Sequence, residues 1–266
     1  MNRKIVDFGR RNLAWVLLLA GLLGGVAAAV KTVFPDLPLR KILNKRSISG
    51  VLIGGAALGA NWVALFEAFR MLNISLATLI YYAGPMLVLL LSPVLFQEKL
   101  TGTKIAALCL VAVGLVCISG SIAFGGLSVP GLIVAVLSAL FYASLIVFNK
   151  RIVRAPGLQT AAIELDAAFV VVLIYVLFTT GLPRPLRSDL PYIALIGLSN
   201  TGLAYLLYFS GLQRLPAQSV ALISYIDPVS TLLYSALLLH ERLTPLQILG
   251  AVLIIGGAMF GELRRR

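Results

Sequence analysis

The chain has 266 residues, of which 60% are hydrophobic and only 12% are charged, and its mean hydropathy is +1.00. A soluble domain of this size needs a larger polar surface than so few charges can supply. Long apolar runs with almost no charge are instead typical of membrane-spanning helices, in which every backbone amide is hydrogen-bonded within the helix. The composition therefore excludes a soluble enzyme or a soluble nucleic-acid-binding protein, and it predicts an all-α membrane protein.

Nine apolar segments follow one another along the chain, separated by short connections that contain proline, glycine or charged residues. About 20 residues of helix are enough to cross the hydrocarbon core of a bilayer. Cys109 and Cys117 both lie in the fourth segment, where they are expected to be small packing residues. The nine segments are A 12–33, B 50–70, C 75–97, D 104–124, E 131–149, F 160–180, G 191–213, H 217–239 and I 245–262.

The net charge of +12 comes from lysines and arginines that cluster in the connections. Positive charge in short loops marks the cytoplasmic side of a membrane protein. With the C-terminal arginines placed in the cytoplasm, fourteen positive residues fall on that side and four on the opposite side. The basic amino terminus departs from this rule, because nine spans leave Arg3, Lys4, Arg10 and Arg11 outside. The charges otherwise predict a multi-pass protein of the bacterial inner membrane.

A shift of 143 residues aligns the chain with itself without a gap over roughly sixty positions. Segments B, C and D then correspond to G, H and I, and the offset spans five helices. Because five is odd, the two copies are predicted to cross the membrane in opposite directions. Such inverted repeats are common in secondary transporters, whose binding site lies near the midplane. The matched pairs are Gly59–Gly202, Phe66–Phe209, Leu79–Leu222, Ile80–Ile223, Tyr82–Tyr225, Pro85–Pro228, Ser92–Ser235, Glu98–Glu241, Leu100–Leu243, Thr101–Thr244 and Gly114–Gly257.

The same offset moves segment F onto 17–37, which is segment A, and moves segment E to before the first residue. The sequence therefore predicts a bundle of about nine helices, a ten-helix plan that lacks its first helix through a late start or a real loss. Residues 1–30 are also typical of a signal peptide, with a basic start, an apolar run and three alanines. We divide the repeats into 1–124, the incomplete first one, and 125–266, the second.

Two stretches of the chain resemble EamA-type members of the drug/metabolite transporter superfamily. Residues 61–120, beginning NWVALFEAFR, resemble the first repeat of that family, and residues 208–262, beginning YFSGLQRLPA, resemble the second. The most specific parts are two patterns of Tyr-x-x-Pro followed by Glu-[Lys/Arg]-Leu-Thr, thirteen residues from Pro to Glu each time. The resemblance implies ten helices and export of amino acids or related small metabolites, driven in many members by proton exchange.

Ionisable residues inside membrane helices cost several kcal/mol unless they are paired or hydrated, so each is a candidate for a functional role. Glu67 and Arg70 can pair on one face of segment B, either in a central cavity or at the membrane surface. Asp227 precedes Pro228, which bends segment H. Its carboxylate can bind a cation or proton, or satisfy backbone and hydroxyl groups beside the bend. The second role is favoured because the matching position in the first repeat is Gly84.

Four other acids are assigned structural positions. Glu164 and Asp166 lie near the cytoplasmic end of segment F and are expected at the membrane interface. Glu98 and Glu241 close segments C and H, where a tight turn between helices is the favoured explanation. Each is followed three residues later by a threonine that is expected to cap the next helix.

Aromatic and amide residues complete the candidate site, because small organic ligands bind in mostly apolar pockets with a few polar groups. Tyr82 and Tyr225 are the strongest candidates, since they match by repeat and precede prolines at the same spacing. Tyr192 is expected in the aromatic belt at the membrane surface. The candidate substrate-binding residues are Asn61, Trp62, Glu67, Tyr82, Tyr142, Asn200, Tyr205, Tyr225 and Asp227.

These features predict a secondary transporter that exports small metabolites such as amino acids by alternating access, with proton coupling as one mechanism. A non-transporting or degenerate membrane partner is the alternative. A membrane-embedded enzyme is less favoured, because His240 is the only histidine and there is no Asp-x-x-Asp pattern. The expected partners are a small-molecule substrate and the lipid bilayer. No cofactor, metal or nucleic acid is expected, and the oligomeric state is left open.

Overall fold

The computed structural model describes residues 45–119, 128–151, 157–179, 186–238, 240 and 243–263. Segment A, the basic amino terminus and the alternative signal peptide lie outside the described residues. So do Glu241, Arg242 and the predicted repeat boundary between 124 and 125. Within the described ranges every regular element is helical, which confirms the predicted all-α class.

Among the described residues, six helical stretches are long and apolar enough to cross a membrane, and they coincide with segments B, C, D, E, F and I. Segment G changes from α- to π-helical geometry, and segment H is interrupted near its middle. The helices are α1 (Lys45–Met71), α2 (Ile74–Tyr81), α3 (Ala83–Phe96), α4 (Gly102–Ser119), α5 (Val129–Arg151), α6 (Gly157–Thr179), α7 (Leu190–Leu195), α8 (Ala204–Leu212), α9 (Ala217–Ile223), α10 (Ile226–Leu238) and α11 (Pro245–Leu263), with a 3₁₀ turn at Arg187–Asp189 and a π-helical stretch at Ile196–Leu203.

Large apolar side chains cover much of the outer surface of these helices. Phe178 is 87% exposed, Val94 77% and Leu237 68%. In water such a surface would drive association, whereas lipid solvates it. The exposed face therefore suits a bilayer, as expected of a multi-pass membrane protein.

The chain forms two compact units. The first contains residues up to Val63 together with Ser144–Arg214, and the second contains Ala64–Ala143 together with Leu215–Arg266. Each unit therefore takes residues from both halves of the chain.

In the second unit, α4 packs closely against α11 through small residues. A methyl group at Gly114 would lie 2.7 Å from the carbonyl oxygen of Gly250, and one at Gly257 would lie 3.0 Å from that of Ala107. The earlier residue of α4, Ala107, therefore contacts the later residue of α11, Gly257, and the reverse holds for Gly114 and Gly250. The two helices are thus antiparallel. Because α4 and α11 are counterparts in the 143-residue alignment, this geometry confirms that the two copies are inverted.

The counterpart helices α2 and α9 begin with different caps. Asn73 caps α2, since its Oδ1 accepts a hydrogen bond of 2.7 Å from the backbone N–H three residues on. The equivalent position before α9 is Pro216, whose side chain cannot cap a helix. The carboxylate of Glu98 caps α9 instead, accepting from the backbone N–H of Ala217 at 2.7 Å and of Gln218 at 3.0 Å.

This contact changes the role predicted for Glu98. The residue is structural, as favoured, but its carboxylate binds a helix end 119 residues further along the chain rather than a local turn. The buried Gln218 adds to the contact by donating to Ser92 Oγ at 2.5 Å and accepting from Lys104. The caps predicted for the next helices are confirmed, because Thr101 Oγ1 accepts from the backbone N–H of Lys104 and the Oγ1 of residue 244 accepts from that of residue 247.

We expect the E98A variant to be less stable by about 2–3 kcal/mol, because it removes two hydrogen bonds to a charged group. The N73A variant removes one neutral cap and should cost about 1 kcal/mol. Melting temperatures of the purified variants in one detergent show which variant loses more stability. An E98A protein that melts no lower than N73A would contradict the long-range cap.

Candidate functional site

Segments C and H both break at the Tyr-x-x-Pro motif. In segment C, α2 ends at Tyr81 and α3 begins at Ala83, two residues before Pro85. In segment H, α9 ends at Ile223 and α10 begins at Ile226, two residues before Pro228. Proline lacks an N–H group and its ring clashes with the carbonyl four residues earlier. The two breaks therefore share one cause, and each lies near the middle of its segment.

The Tyr225 hydroxyl joins the two breaks within the second unit. Tyr225 is fully buried, and its hydroxyl donates to the carbonyl oxygen of Tyr82 at 2.9 Å. Tyr82 occupies the N-terminal cap position of α3. Tyr225 therefore stabilises the start of α3 from segment H.

The Tyr82 side chain makes a different contact. Its hydroxyl donates to Asp227 Oδ2 at 3.0 Å. The equivalent position in the first repeat is Gly84, where a methyl group would lie 2.9 Å from both the carbonyl oxygen of Ala139 and the ring of Tyr142. The packing of α5 against Gly84 leaves no room for a side chain there. This explains why the carboxylate occurs in one repeat only.

Tyr82, the hydrogen-bond partner of Asp227, belongs to a group of four tyrosine rings in contact with one another. We call this group the tyrosine cluster: Tyr81, Tyr82, Tyr142 and Tyr225. The centroid of the Tyr82 ring lies 5.4 Å from that of Tyr81 and 6.1 Å from that of Tyr225, and the Tyr81 and Tyr142 centroids are 5.5 Å apart. Tyr142 hydrogen-bonds to the Ser224 hydroxyl at 2.9 Å. The hydroxyls of Tyr82, Tyr142 and Tyr225 thus each have a defined hydrogen-bond partner.

Asp227 itself is exposed, although it lies at the middle of segment H. A carboxylate at that depth cannot face hydrocarbon without a cost of several kcal/mol. Its exposed side must therefore meet water or a polar ligand. Asp227, the tyrosine cluster and Ser224 together form the candidate site of the second unit.

Repeat-equivalent aromatic residues also meet in the first unit. The indole Nε1 of Trp62 donates to the Tyr205 hydroxyl at 3.2 Å, and the ring centroids are 5.4 Å apart in an edge-to-face arrangement. The ring of Tyr205 also contacts the ring of Tyr208, and their centroids are 6.0 Å apart. Asn61 is buried, whereas the side chain of Asn200 lies outside the described residues. The structure therefore brings Trp62 and Tyr205 together as a pair.

Glu67, the candidate acid of segment B, forms an ion pair with Arg70. Glu67 Oε1 accepts from Arg70 Nη1 at 2.7 Å, near the C-terminal end of α1. Arg70 is mostly exposed there, with 57% of its side chain accessible. This geometry is typical of an ion pair at a membrane surface, and the substrate-binding role of Glu67 stays a prediction.

Glu164 lies near the beginning of α6, the end at which an interfacial position was expected, but it is not an exposed surface acid. Its side chain is fully buried in the first unit, where Asn149 Nδ2 donates to Oε1 at 2.7 Å. The signal in the sequence was the pair Gly54-Gly55, since small residues allow α1 to approach α6 closely. Among the described residues, no group of three or more His, Cys, Asp or Glu side chains could hold a metal ion.

We expect the Y225F variant to lose about 1–2 kcal/mol of stability, because a buried backbone carbonyl loses its hydroxyl partner. Y234F is the matched control on α10, since Tyr234 is 63% exposed, and it should change stability by less than about 0.5 kcal/mol. Melting temperatures in detergent distinguish them. Equal values for the two variants would show that the Tyr225 bridge does not stabilise α3.

Long apolar helices and two inverted repeats are typical of a multi-pass membrane transporter. The sequence model of the EamA-like transporter family matches residues 10–120 and 129–261. The chain belongs to this family, as its Tyr-x-x-Pro and Glu-[Lys/Arg]-Leu-Thr patterns predicted.

Curated relatives carry transporter names. A probable amino-acid metabolite efflux pump of Escherichia coli (strain K12) is 29% identical over 97% of this chain and 88% of its own length. The uncharacterized transporter YxxF of Bacillus subtilis is 28% identical over 84% and 72% of the two chains. The aromatic amino acid exporter YddG of Ancylobacter novellus is 25% identical over 76% and 71%. These names indicate a transporter rather than an enzyme.

A crystal structure of a protein with 21% sequence identity has the same fold. It superimposes with a TM-score of 0.82 and covers 96% of this chain and 90% of the other. At this identity the likeness concerns the fold alone.

Proposed function

We propose that this transporter exports amino acids or closely related small metabolites across the bacterial inner membrane, by alternating access of its two repeats. The observation that carries the proposal is the exposed Asp227 carboxylate in the middle of segment H, held by the Tyr82 hydroxyl at 3.0 Å. A carboxylate at this depth suits the ammonium group of an amino acid. The names of two relatives, an amino-acid metabolite efflux pump and an aromatic amino acid exporter, support the same substrate class.

The tyrosine cluster supports an amino acid as the substrate. Aromatic faces attract cations and pack well against apolar side chains, and Tyr142 with Ser224 adds a hydroxyl pair. An ammonium group would then bind Asp227 while the substrate's side chain contacts the rings. The broken helices at Tyr82 and Tyr225 supply the polar backbone groups that transporters use at their binding sites.

The proposed location and partners follow from the charges. Lysines and arginines concentrate on one side of the spans, which supports a cytoplasmic orientation of that side. The proposed partners are the bilayer and a small-molecule substrate, without nucleic acid.

Counterflow in proteoliposomes tests the proposal. Vesicles containing the purified protein are loaded with a mixture of unlabelled amino acids, and labelled phenylalanine, tyrosine, tryptophan, leucine and lysine are supplied outside one at a time. For at least one label, we expect uptake to exceed the uptake into protein-free vesicles. This excess uptake should disappear when the internal amino-acid pool is omitted. No flux for any of them would contradict the proposal and favour a non-transporting membrane partner.

A further inference from the structure

We propose that Glu164 and Asn149 of the first unit form a proton-binding site that couples proton movement to transport. This inference rests on the proposed function, because coupling requires a transported substrate. It starts from a side-chain pair that the Asp227 site does not use, since Glu164 and Asn149 belong to the first unit and Asp227 to the second.

Hydrogen-bond accounting for the pair leaves one donor missing. The amide of Asn149 has two N–H donors, and Nδ2 donates to the Leu145 carbonyl oxygen at 3.1 Å and to Glu164 Oε1 at 2.7 Å. Glu164 Oε2 and Asn149 Oδ1 are both buried acceptors without a donor among the described residues. A proton on the carboxyl group turns Oε2 into a donor, so this oxygen no longer requires one.

The surroundings of Glu164 favour the neutral acid. The side chain has no exposed surface, and a buried charge without a counterion costs several kcal/mol. The nearest titratable residues along α5 and α6 are Lys150, Arg151 and Asp166, and none of them forms an ion pair with Glu164 in the described residues. Helix α1 approaches it at Gly54 and Gly55, which carry no charge. The carboxyl group therefore has no described cation that would keep it ionised.

Close backbone packing closes the pocket. A methyl group at Gly54 would lie 2.6 Å from Glu164 Oε1, and one at Gly55 would lie 2.5 Å from the Glu164 carbonyl oxygen. Helix α1 therefore contacts the carboxyl group directly and shields it from water. A small displacement of α1 would admit water, so protonation can respond to a change in helix packing.

The pair also lies near one end of its helices. Glu164 is four residues into the span Thr160–Thr179, about 6 Å along the helix axis, and Asn149 is two residues before the end of α5. A proton released from this depth has a short path to the membrane surface. A shielded acid with a short exit path is suited to binding a proton in one state and releasing it in another.

Infrared spectroscopy tests the proton site without any substrate. At neutral pH the wild-type protein should show the carbonyl stretch of a protonated carboxylic acid, and this band should be lost in E164Q and kept in D166N. The band should also decline as the pH is raised. A band that persists in E164Q, or that is absent from the wild type, would overturn the assignment.

Transport driven by a pH gradient tests the coupling. In proteoliposomes with the label that counterflows best, an imposed pH gradient should accelerate flux through wild-type and D166N protein. E164Q should keep counterflow but lose the response to the gradient. A retained response in E164Q, or a flux that follows a sodium gradient in place of the pH gradient, would overturn the inference. If no label moves through the wild type, the proposed function fails, and the infrared result alone decides whether Glu164 binds a proton.

Discussion

Replacing Asp227 by asparagine is expected to lower amino-acid counterflow about ten- to a hundredfold, since a hydrogen bond to a charged group contributes about 1.5–3 kcal/mol. The variant keeps the fold, because the asparagine Oδ1 can still accept the hydrogen bond from Tyr82. What it loses is the negative charge that would bind an ammonium group. Counterflow of the best labelled amino acid, normalised to the amount of reconstituted protein, measures the effect.

Two companion variants make the Asp227 result specific. Y82F keeps the ring but removes the hydroxyl that holds Asp227 at 3.0 Å, so it should lower flux less than D227N. D189N changes an acid of the first unit, in the turn Arg187–Asp189, and should leave flux unchanged. If D227N has the same counterflow rate as the wild type, the substrate-binding role is contradicted. The carboxylate would then serve only to stabilise the helix break through its hydrogen bond with Tyr82.

Replacing Gly250 by alanine is expected to destabilise the protein, although the change adds only one methyl group. That group would lie 2.6 Å from the carbonyl oxygen of Gly114 and 2.9 Å from Cys117 Cβ. A backbone atom cannot rotate away, so α4 and α11 would have to separate. Forcing extra volume into a packed interior costs about 1–3 kcal/mol. The melting temperature in detergent and the yield of monodisperse protein measure the loss.

Gly256 provides the matched control on the same helix. A methyl group there meets nothing within 4 Å. Alanine is a better helix former than glycine by roughly 1 kcal/mol, so G256A should be neutral or slightly more stable while G250A is destabilised. Similar melting temperatures for the two variants would contradict the close crossing of α4 and α11.

The repeat and one of the two helix breaks could be predicted from the sequence. The 143-residue alignment identified Tyr82 and Tyr225 as counterparts, and Pro228 predicted the bend in segment H. The caps at Thr101 and Thr244 were also predictable. These features are local, since proline and threonine act on the backbone within one helical turn.

The sequence by itself determined that this protein crosses the membrane repeatedly and is built from two inverted copies. Run length, loop charge and a repeated pattern are sufficient for that, because the bilayer imposes the same requirements on every span. The tertiary structure alone decided which polar groups meet. It buried Glu164 against α1 and Asn149, directed Glu98 to a helix 119 residues away and left room for a carboxylate at Asp227 but not at Gly84. The physical reason is that such contacts depend on how closely neighbouring helices approach, and one helix's sequence does not record the shape of the helix packed against it.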